Sequence, residues 1–273
     1  MPGLNTRSNV ELFYKIWGTG RPVILIHGWP LSADSWDDIA LPLADAGFQT
    51  IAYDRRGFGR SEQTWEGYDY DTLADDLADV IRGLNLADAT IVGFSMGGGE
   101  VARYMSRHNG LEIRQAVLIS SVVPYMLKTE TNPYGVEQAT FDEMTKAMKA
   151  DRAAFFGSFF KDFYAGGASS PKVSQELLEW TRTVAMQSSL KATLACAQAF
   201  ATTDFRSDLE SFRVPTLVIH GTGDKTVPID AAGRAAAAGI KDAKLVEYEG
   251  APHGLFATHK KQLVQDLISF ISS

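Results

Sequence analysis

The sequence predicts an α/β fold, with a mostly parallel central sheet, helices on both faces and an inserted helical cap. Short apolar runs rich in β-branched residues alternate with amphipathic stretches through most of the 273 residues. That alternation is typical of a parallel sheet covered by helices. From residue 122 to about residue 213 the alternation stops, and helical periodicity with many aromatic residues replaces it. We therefore predict a core of residues 1–121 and 214–273 and a cap of residues 122–213.

Two kinds of pattern predict the strands. Residues 10–17 alternate apolar and polar side chains, which favours an edge strand. Residues 22–27 (Pro-Val-Ile-Leu-Ile-His) form an apolar run that ends with His27 before Gly28, as expected for a strand buried on both faces. Further segments of this second kind are residues 48–53, 89–93, 115–120, 214–220 and 243–248.

The predicted helices lie between these strands and show apolar residues at helical spacing. They are residues 35–46, 70–84, 96–107, 230–238 and 259–271. A connection of this kind between successive strands gives βαβ units, so the strands are expected to be mostly parallel.

Composition limits the classes of partner. The chain has 26 basic and 33 acidic residues, a net charge of −7, and no run of Lys or Arg. Nucleic acid and anionic membrane surfaces are therefore not expected as partners. The sequence shows no apolar signal core and no apolar run of membrane-spanning length, which predicts a cytoplasmic protein. The single cysteine, Cys196, lies in an apolar helical pattern and is predicted to be a small buried side chain.

The sharpest local motif is residues 93–97 (Gly-Phe-Ser-Met-Gly), between the predicted strand 89–93 and the predicted helix 96–107. This is the G-x-S-x-G pattern in a strand–turn–helix context, where a strained turn lifts the serine hydroxyl off the sheet. The flanking glycines let neighbouring backbone pass closely, and the helix N-terminus offers free N–H groups to a developing oxyanion. The motif predicts Ser95 as a nucleophile and the α/β-hydrolase fold.

A serine hydroxyl needs a base to remove its proton, and the predicted base is His253. It lies in the segment 251–254 (Ala-Pro-His-Gly), after the last predicted strand and at the sheet edge where Ser95 emerges. The chain order serine, acid, histidine of this fold agrees with that position. The other roles predicted for histidines are a helix end for His108, the sheet edge for His220 and a solvent-facing helix for His259.

The acid that orients the histidine is predicted to be Asp224. It lies in the glycine-rich loop 221–225, directly after the predicted strand 214–220. A carboxylate there can hold the imidazole in one tautomer and stabilise the imidazolium that forms. The alternatives are Asp204 and Asp208, before that strand, and Asp230, where helix capping explains an aspartate.

An oxyanion hole needs two backbone donors, and the predicted donors are the amides of Met96 and Trp29. Met96 follows the nucleophile, and Trp29 lies in the loop 27–30 (His-Gly-Trp-Pro) after a buried strand. Pro30 has no N–H to donate and fixes how the loop carbonyls point. The residues predicted to line a substrate pocket beneath the cap are Pro30, Val122, Phe159, Phe163, Phe200, Thr226 and Ile229.

A second glycine-containing run, residues 54–61 (Asp-Arg-Arg-Gly-Phe-Gly-Arg-Ser), also follows a predicted strand. It carries neither G-x-G-x-x-G nor a Walker lysine, so it is predicted to be a structural turn held by Asp54 and Arg55.

Together, five segments resemble the cofactor-free bacterial haloperoxidases, a group also described as non-heme chloroperoxidases, perhydrolases and aryl esterases. The segments are His-Gly-Trp-Pro at 27–30, the run at 54–61, Gly-Phe-Ser-Met-Gly-Gly-Gly at 93–99, Ala-Thr-Thr-Asp-Phe-Arg at 201–206 and Ala-Pro-His-Gly at 251–254. The resemblance covers essentially the whole chain, including the predicted cap. It implies an α/β-hydrolase with a small helical cap, no cofactor and no metal.

The resemblance also implies an activity. A short carboxylic ester or acid would acylate Ser95, and hydrogen peroxide could replace water to release a peracid that oxidises halide. Within the group, Pro30 after Trp29 resembles the pattern of members that favour perhydrolysis. Because members often form homo-oligomers, self-association is implied as well.

Other functions stay open at this point. A lactamase or a C–C bond hydrolase of the same fold would use the same serine, and a non-catalytic receptor could keep the fold. A dehalogenase or epoxide hydrolase would carry aspartate at position 95, so Ser95 argues against both. A lipase is disfavoured because no interfacial amphipathic segment is evident.

Overall fold

The computed structural model describes residues 2–165 and 172–273. The strands in this part of the chain are β1 (Gly3–Asn5), β2 (Glu11–Trp17), β3 (Arg21–Ile26), β4 (Phe48–Tyr53), β5 (Ala89–Phe94), β6 (Ile113–Ile119), β7 (Thr216–Gly221) and β8 (Lys244–Tyr248). Over the described ranges they form one eight-stranded sheet in the order β1-β2-β4-β3-β5-β6-β7-β8. β2 is antiparallel to β1 and β4, and the other pairs are parallel.

The helices connect these strands, except for the last two, which follow β8. They are α1 (Asp37–Asp45), α2 (Tyr70–Gly83), α3 (Met96–Arg107), α4 (Gln138–Ala165), α5 (Gln175–Met186), α6 (Leu190–Thr202), α7 (Gly233–Gly239), α8 (Leu255–Thr258) and α9 (Lys260–Ile271). Short 3-10 helices span Ala33–Trp36 and Arg206–Ser211. None of the helices in residues 2–165 and 172–273 is both long and apolar enough to cross a membrane.

The predicted fold class is confirmed, and each predicted strand is present with bounds within two residues. One detail is wrong: residues 10–17 do not form the edge of the sheet. β1 pairs with β2 in antiparallel register, with Gly3 opposite Phe13, and occupies the edge instead. A strand of three residues is too short for an alternating pattern to identify it.

Side-chain caps explain where several helices begin. Asp69 precedes α2 and accepts a hydrogen bond from the Thr72 amide at 2.9 Å. Ser189 precedes α6 and accepts from the Ala192 amide at 2.9 Å. These bonds satisfy amides that have no acceptor inside the helix. The predicted helix 230–238 starts only at Gly233, because the preceding residues form a turn.

The helices α4, α5 and α6, here called the inserted helices, follow β6 and precede β7. Trp29, in the loop after β3, connects them to the sheet: its Nε1 donates to the Thr193 carbonyl at 3.0 Å. Its indole ring also packs edge-on against four rings of the inserted helices, with centroids 5.6–6.4 Å apart. These rings belong to Phe155, Phe156, Phe159 and Phe200. The inserted helices are thereby fixed over the carboxyl edge of the sheet.

A buried ion pair lies beneath α3. The Arg55 guanidinium is bonded to the Glu100 carboxylate, and neither side chain is more than 1% exposed. Tyr53 donates its hydroxyl to Glu100 Oε2 at 2.6 Å, and Arg55 Nη2 donates to the His27 carbonyl at 2.7 Å. Asp54 Oδ2 accepts from the Arg60 amide at 2.8 Å, which supports the structural turn predicted for residues 54–61. The network joins the strand ends to α3, the helix that follows Ser95.

We expect Glu100→Gln to lower the free energy of unfolding by about 3–5 kcal/mol, because Arg55 would remain buried without a counter-charge. Urea unfolding followed by circular dichroism measures the change. The matched control is Glu137→Gln, which breaks an exposed pair with Lys128 and should cost less than about 1 kcal/mol. Equal losses in the two variants would contradict the special role of the buried pair.

Candidate active site

Ser95 lies at the sharp turn between β5 and α3 and has a left-handed backbone, with φ 54° and ψ −118°. Such a conformation is costly for a residue other than glycine, so the surrounding structure must hold it. The Ser95 amide donates to the Ile119 carbonyl at 2.9 Å, and its carbonyl accepts from the Gly98 amide at 3.0 Å. These bonds to β6 and α3 fix the turn from both sides.

Close backbone approach explains the two glycines of the motif. A Cβ atom on Gly93 would lie 2.5 Å from the Gly97 carbonyl oxygen, and one on Gly97 would lie 2.5 Å from the Ile26 carbonyl oxygen. Real Cβ atoms do not come so close to backbone atoms, so α3 can pack onto the ends of β3 and β5 only with glycine at these positions.

The structure brings Ser95, His253 and Asp224 together, although they are distant along the chain. His253 Nε2 lies 2.9 Å from Ser95 Oγ, and His253 Nδ1 lies 2.6 Å from Asp224 Oδ2. Since the carboxylate only accepts, Nδ1 carries the proton and Nε2 is free to accept from the serine hydroxyl. All three residues are buried. The ring of His253 is held between Phe94 and Phe163, with centroids 5.1 and 4.9 Å away.

Asp224 is fixed by its own loop, since its Oδ1 accepts from the Thr226 and Val227 amides at 2.9 and 2.8 Å. Burial alone would raise the pKa of this carboxyl group. The charge of a protonated His253 and the hydrogen bonds from His220 and His253 outweigh that effect and lower the pKa well below its usual value. Asp224 is therefore ionised at every pH where His253 could act as a base.

The alternative acids lie in ion pairs elsewhere. Asp204 pairs with Arg206, Asp208 with Arg103, and Asp230 with Arg234. The remaining histidines also have other partners. His27 accepts from the Arg55 amide, His108 contacts Asp75 and stacks on Tyr104, and His259 contacts Thr258. His220, predicted at the sheet edge, lies buried at the end of β7, and its contact with Asp224 was not predicted from the sequence.

A cavity of about 350 Å³ opens above Ser95 and His253. Four of the seven residues predicted to line a pocket do so, namely Val122, Phe159, Phe200 and Thr226, and Trp29, predicted as an oxyanion donor, lines it as well. Pro30, Phe163 and Ile229 are buried but are not among the lining residues. The other lining residues were not predicted: Met126, Val136, Thr140, Phe141, Met144, Asp162, Ala165, Lys225 and Val227. The walls are mainly apolar, which suits a small organic substrate.

The two predicted oxyanion donors lie beside the nucleophile. Met96 is the first residue of α3, so its amide has no acceptor inside the helix. The loop that carries Trp29 passes against Ser95, because a Cβ atom on Gly28 would lie 3.0 Å from the Ser95 Cβ atom. Trp29 also lines the cavity, and its peptide bond to Pro30 is cis. No group of three His, Cys, Asp or Glu side chains able to hold a metal ion occurs in residues 2–165 and 172–273.

Comparison with known proteins identifies the family of the chain. Residues 21–260 match the family model of the alpha/beta hydrolase fold. A non-heme chloroperoxidase of Kitasatospora aureofaciens is 44% identical over the full length of both chains. A bifunctional esterase/perhydrolase of Acinetobacter calcoaceticus is 41% identical over 99% of each chain.

The chain belongs to the non-heme haloperoxidases of the α/β-hydrolase family. A solved structure supports the same assignment: the bromoperoxidase from Bacillus anthracis superposes with a TM-score of 0.97 at 43% identity, over 100% of this chain and 99% of that one. The haloperoxidase fold is therefore shared along the whole chain, including the region of the inserted helices.

The lowered pKa of Asp224 gives this haloperoxidase a pH-dependent stability. A carboxyl whose pKa is lower in the folded state stabilises that state above its unfolded pKa, about 3.9, and this contribution declines as pH falls. We expect the unfolding free energy of the wild type to fall by about 1 kcal/mol more than that of Asp224→Asn between about pH 5 and about pH 3. Urea titrations of both proteins at several pH values measure this difference. If the unfolding free energies of the two proteins changed in parallel with pH, the pKa of Asp224 would not be lowered in the folded state.

Proposed function

We propose that the protein hydrolyses esters of small carboxylic acids through an acyl-enzyme on Ser95, with Asp224 and His253 completing the triad. We propose further that it forms peracids from a carboxylic acid and hydrogen peroxide, and that these peracids oxidise halide. The observation that carries the proposal is the continuous chain of hydrogen bonds from Ser95 through His253 to Asp224 at the floor of an apolar cavity. The similarity to an esterase/perhydrolase and to chloroperoxidases supports the reaction types.

The first half-reaction follows from the geometry. As Ser95 Oγ attacks the ester carbonyl carbon, His253 Nε2 takes the hydroxyl proton, and Asp224 stabilises the resulting imidazolium. The carbonyl oxygen becomes an oxyanion and accepts hydrogen bonds from the Met96 and Trp29 amides. A donor of this kind typically contributes about 3–4 kcal/mol to transition-state stabilisation. When the tetrahedral intermediate collapses, the leaving alkoxide takes the proton from His253 and departs as an alcohol.

The acyl-enzyme can then react with either of two acceptors. Water gives the carboxylic acid, whereas hydrogen peroxide gives the peracid, and in both cases His253 removes the proton and returns it to Ser95. Starting from the acid, acylation releases water, so the net reaction is RCOOH + H₂O₂ → RCO₃H + H₂O. In solution the peracid oxidises halide, RCO₃H + X⁻ → RCO₂⁻ + HOX. The halide therefore needs no binding site on the protein.

We assign the role of a cap to residues 122–213, which include the inserted helices. Phe159 and Phe200 from these helices line the cavity, and Trp29 connects them to the sheet. The mainly apolar walls supplied by this region favour compact, uncharged acyl groups. Cytoplasmic location and self-association stay predictions from the sequence.

Ser95→Ala and His253→Ala should each lower kcat for p-nitrophenyl acetate by at least about a thousandfold, because the members of a triad act as one unit. A phosphonate directed at serine should label Ser95, as peptide mass spectrometry can establish. Matched controls are Ser106→Ala and His259→Ala, which change the same residue types outside the cavity and should keep nearly full activity. Turnover close to that of the wild type in Ser95→Ala would refute the proposed function.

Pro30→Leu should lower the ratio of peracid formation to ester hydrolysis several-fold. Proline fixes the backbone beside Trp29, and we propose that a carbonyl of this loop accepts a hydrogen bond from peroxide; one such bond is typically worth about 0.5–1.5 kcal/mol. Peracid from acetate and peroxide, and hydrolysis of p-nitrophenyl acetate, are measured on the same preparation. An unchanged ratio would remove Pro30 from the explanation of perhydrolysis while leaving the esterase proposal intact.

A further inference from the structure

A second buried histidine lies beside the carboxylate of Asp224. His220 belongs to β7, and its side chain has no solvent exposure. Its Nε2 lies 3.0 Å from the Val227 carbonyl oxygen and 3.3 Å from Asp224 Oδ2. Both neighbours of this nitrogen are therefore oxygen atoms of the loop that follows β7.

The proton of His220 can be located from these neighbours. A carbonyl oxygen can only accept a hydrogen bond, so His220 Nε2 carries the proton and shares it between Val227 and Asp224. The opposite side of the ring packs against the start of α7, since a Cβ atom on Gly233 would lie 2.7 Å from His220 Nδ1. Contact with Gly233 on one side and with the loop on the other fixes the position of the ring.

His220 completes the hydrogen bonding of the Asp224 carboxylate, which offers about four acceptor sites. Two amides occupy Oδ1, those of Thr226 and Val227. The two imidazoles of His253 and His220 both face Oδ2, at 2.6 and 3.3 Å. The oxygen that orients the proposed base is thus the one that His220 also contacts.

The other charged side chains near His220 are either paired with another residue or exposed to solvent. Glu247 is opposite His220 in the register of β7 and β8, and its carboxylate is bound by Arg234 at 2.7 and 2.8 Å. On the other side of β7, the strand β6 contributes only apolar residues to the register, from Ala116 to Ile119. Lys225 is adjacent in sequence to Asp224, but it is exposed. Asp224 and, through it, His253 are therefore the titratable groups that His220 influences most directly.

We propose that His220 is a positioning residue for the hydrolysis proposed above: its Nε2–H orients Asp224 and takes up part of the negative charge on Oδ2. The inference rests on the proposed function, because it matters only if His253 acts as the base. The sign of the effect follows from the shared oxygen. Without the His220 donor, His253 experiences more of the carboxylate charge and holds its proton more tightly.

The test compares His220→Leu, which removes the donor, with His220→Gln, whose side-chain amide can place an N–H near the position of Nε2. For His220→Leu we expect kcat for p-nitrophenyl acetate to fall about tenfold or more, the usual scale for a hydrogen bond to a charged group, with little change in KM. The acidic limb of its kcat/KM profile should move to higher pH. For His220→Gln both properties should return towards those of the wild type.

Two results would overturn the inference. One is a wild-type pH profile and kcat in a folded His220→Leu variant. The other is loss of activity in both variants while the acidic limb of the kcat/KM profile stays at its wild-type pH. That result would indicate a packing role alone, because a smaller fraction of active protein lowers the rate without shifting a pKa. Circular dichroism and thermal unfolding report folding. If His220→Leu does not fold, His220→Met replaces it as the variant without a donor, with the same expected and contrary results.

Ser95→Ala in the same assay separates this inference from the proposed function. If Ser95→Ala keeps wild-type turnover, the proposed function fails whatever the His220 variants do. If Ser95→Ala is inactive and His220→Leu behaves as the wild type, only the positioning role fails.

Discussion

The left-handed backbone of Ser95 is the constraint on which the rest of the site depends. A serine does not adopt this conformation freely, and here β6 and α3 hold it through hydrogen bonds on both sides of the residue. Because the turn is so sharp, α3 must pack directly onto the ends of β3 and β5, and this contact excludes side chains at Gly93 and Gly97. The hydroxyl then projects from the sheet towards His253 instead of lying within a strand or a helix.

Two separate networks compensate the buried charges around this turn. Behind α3, Arg55 and Glu100 neutralise each other in the core and join the helix to the strand ends. In front of it, Asp224 receives donors from its own loop, from His253 and from His220. A buried charge is tolerated only where hydrogen bonds compensate its loss of solvation, and both networks meet that requirement. The first network maintains the scaffold, and the second sets the electrostatics of the proposed base.

The sequence was sufficient to predict most of the fold and the proximity of Ser95, Asp224 and His253, since each of these depends on a local pattern. The motif at 93–97 specifies its own turn, and the loops after β7 and β8 bring Asp224 and His253 to one edge of a parallel sheet. The cavity was harder to predict, because the residues that line it depend on how the inserted helices pack over the sheet, which helical periodicity does not describe. Phe159 lines the cavity whereas Phe163, one turn later, packs on His253. The contact of His220 with Asp224 depends on the path of a loop, which periodicity does not describe.

The double engagement of Trp29 has a consequence for how substrates enter. Its backbone lies in the loop beside the nucleophile, while its indole packs against phenylalanine rings of the inserted helices. A hinged lid would have to pull this indole out and would disturb the neighbouring amide with every opening. We therefore expect the inserted helices to stay in place during turnover. Reactants and products would then exchange through the side of the cavity where the exposed residues Asp162 and Lys225 lie. In such an arrangement the size of a permanently open entrance, and not a conformational change, determines which substrates reach Ser95.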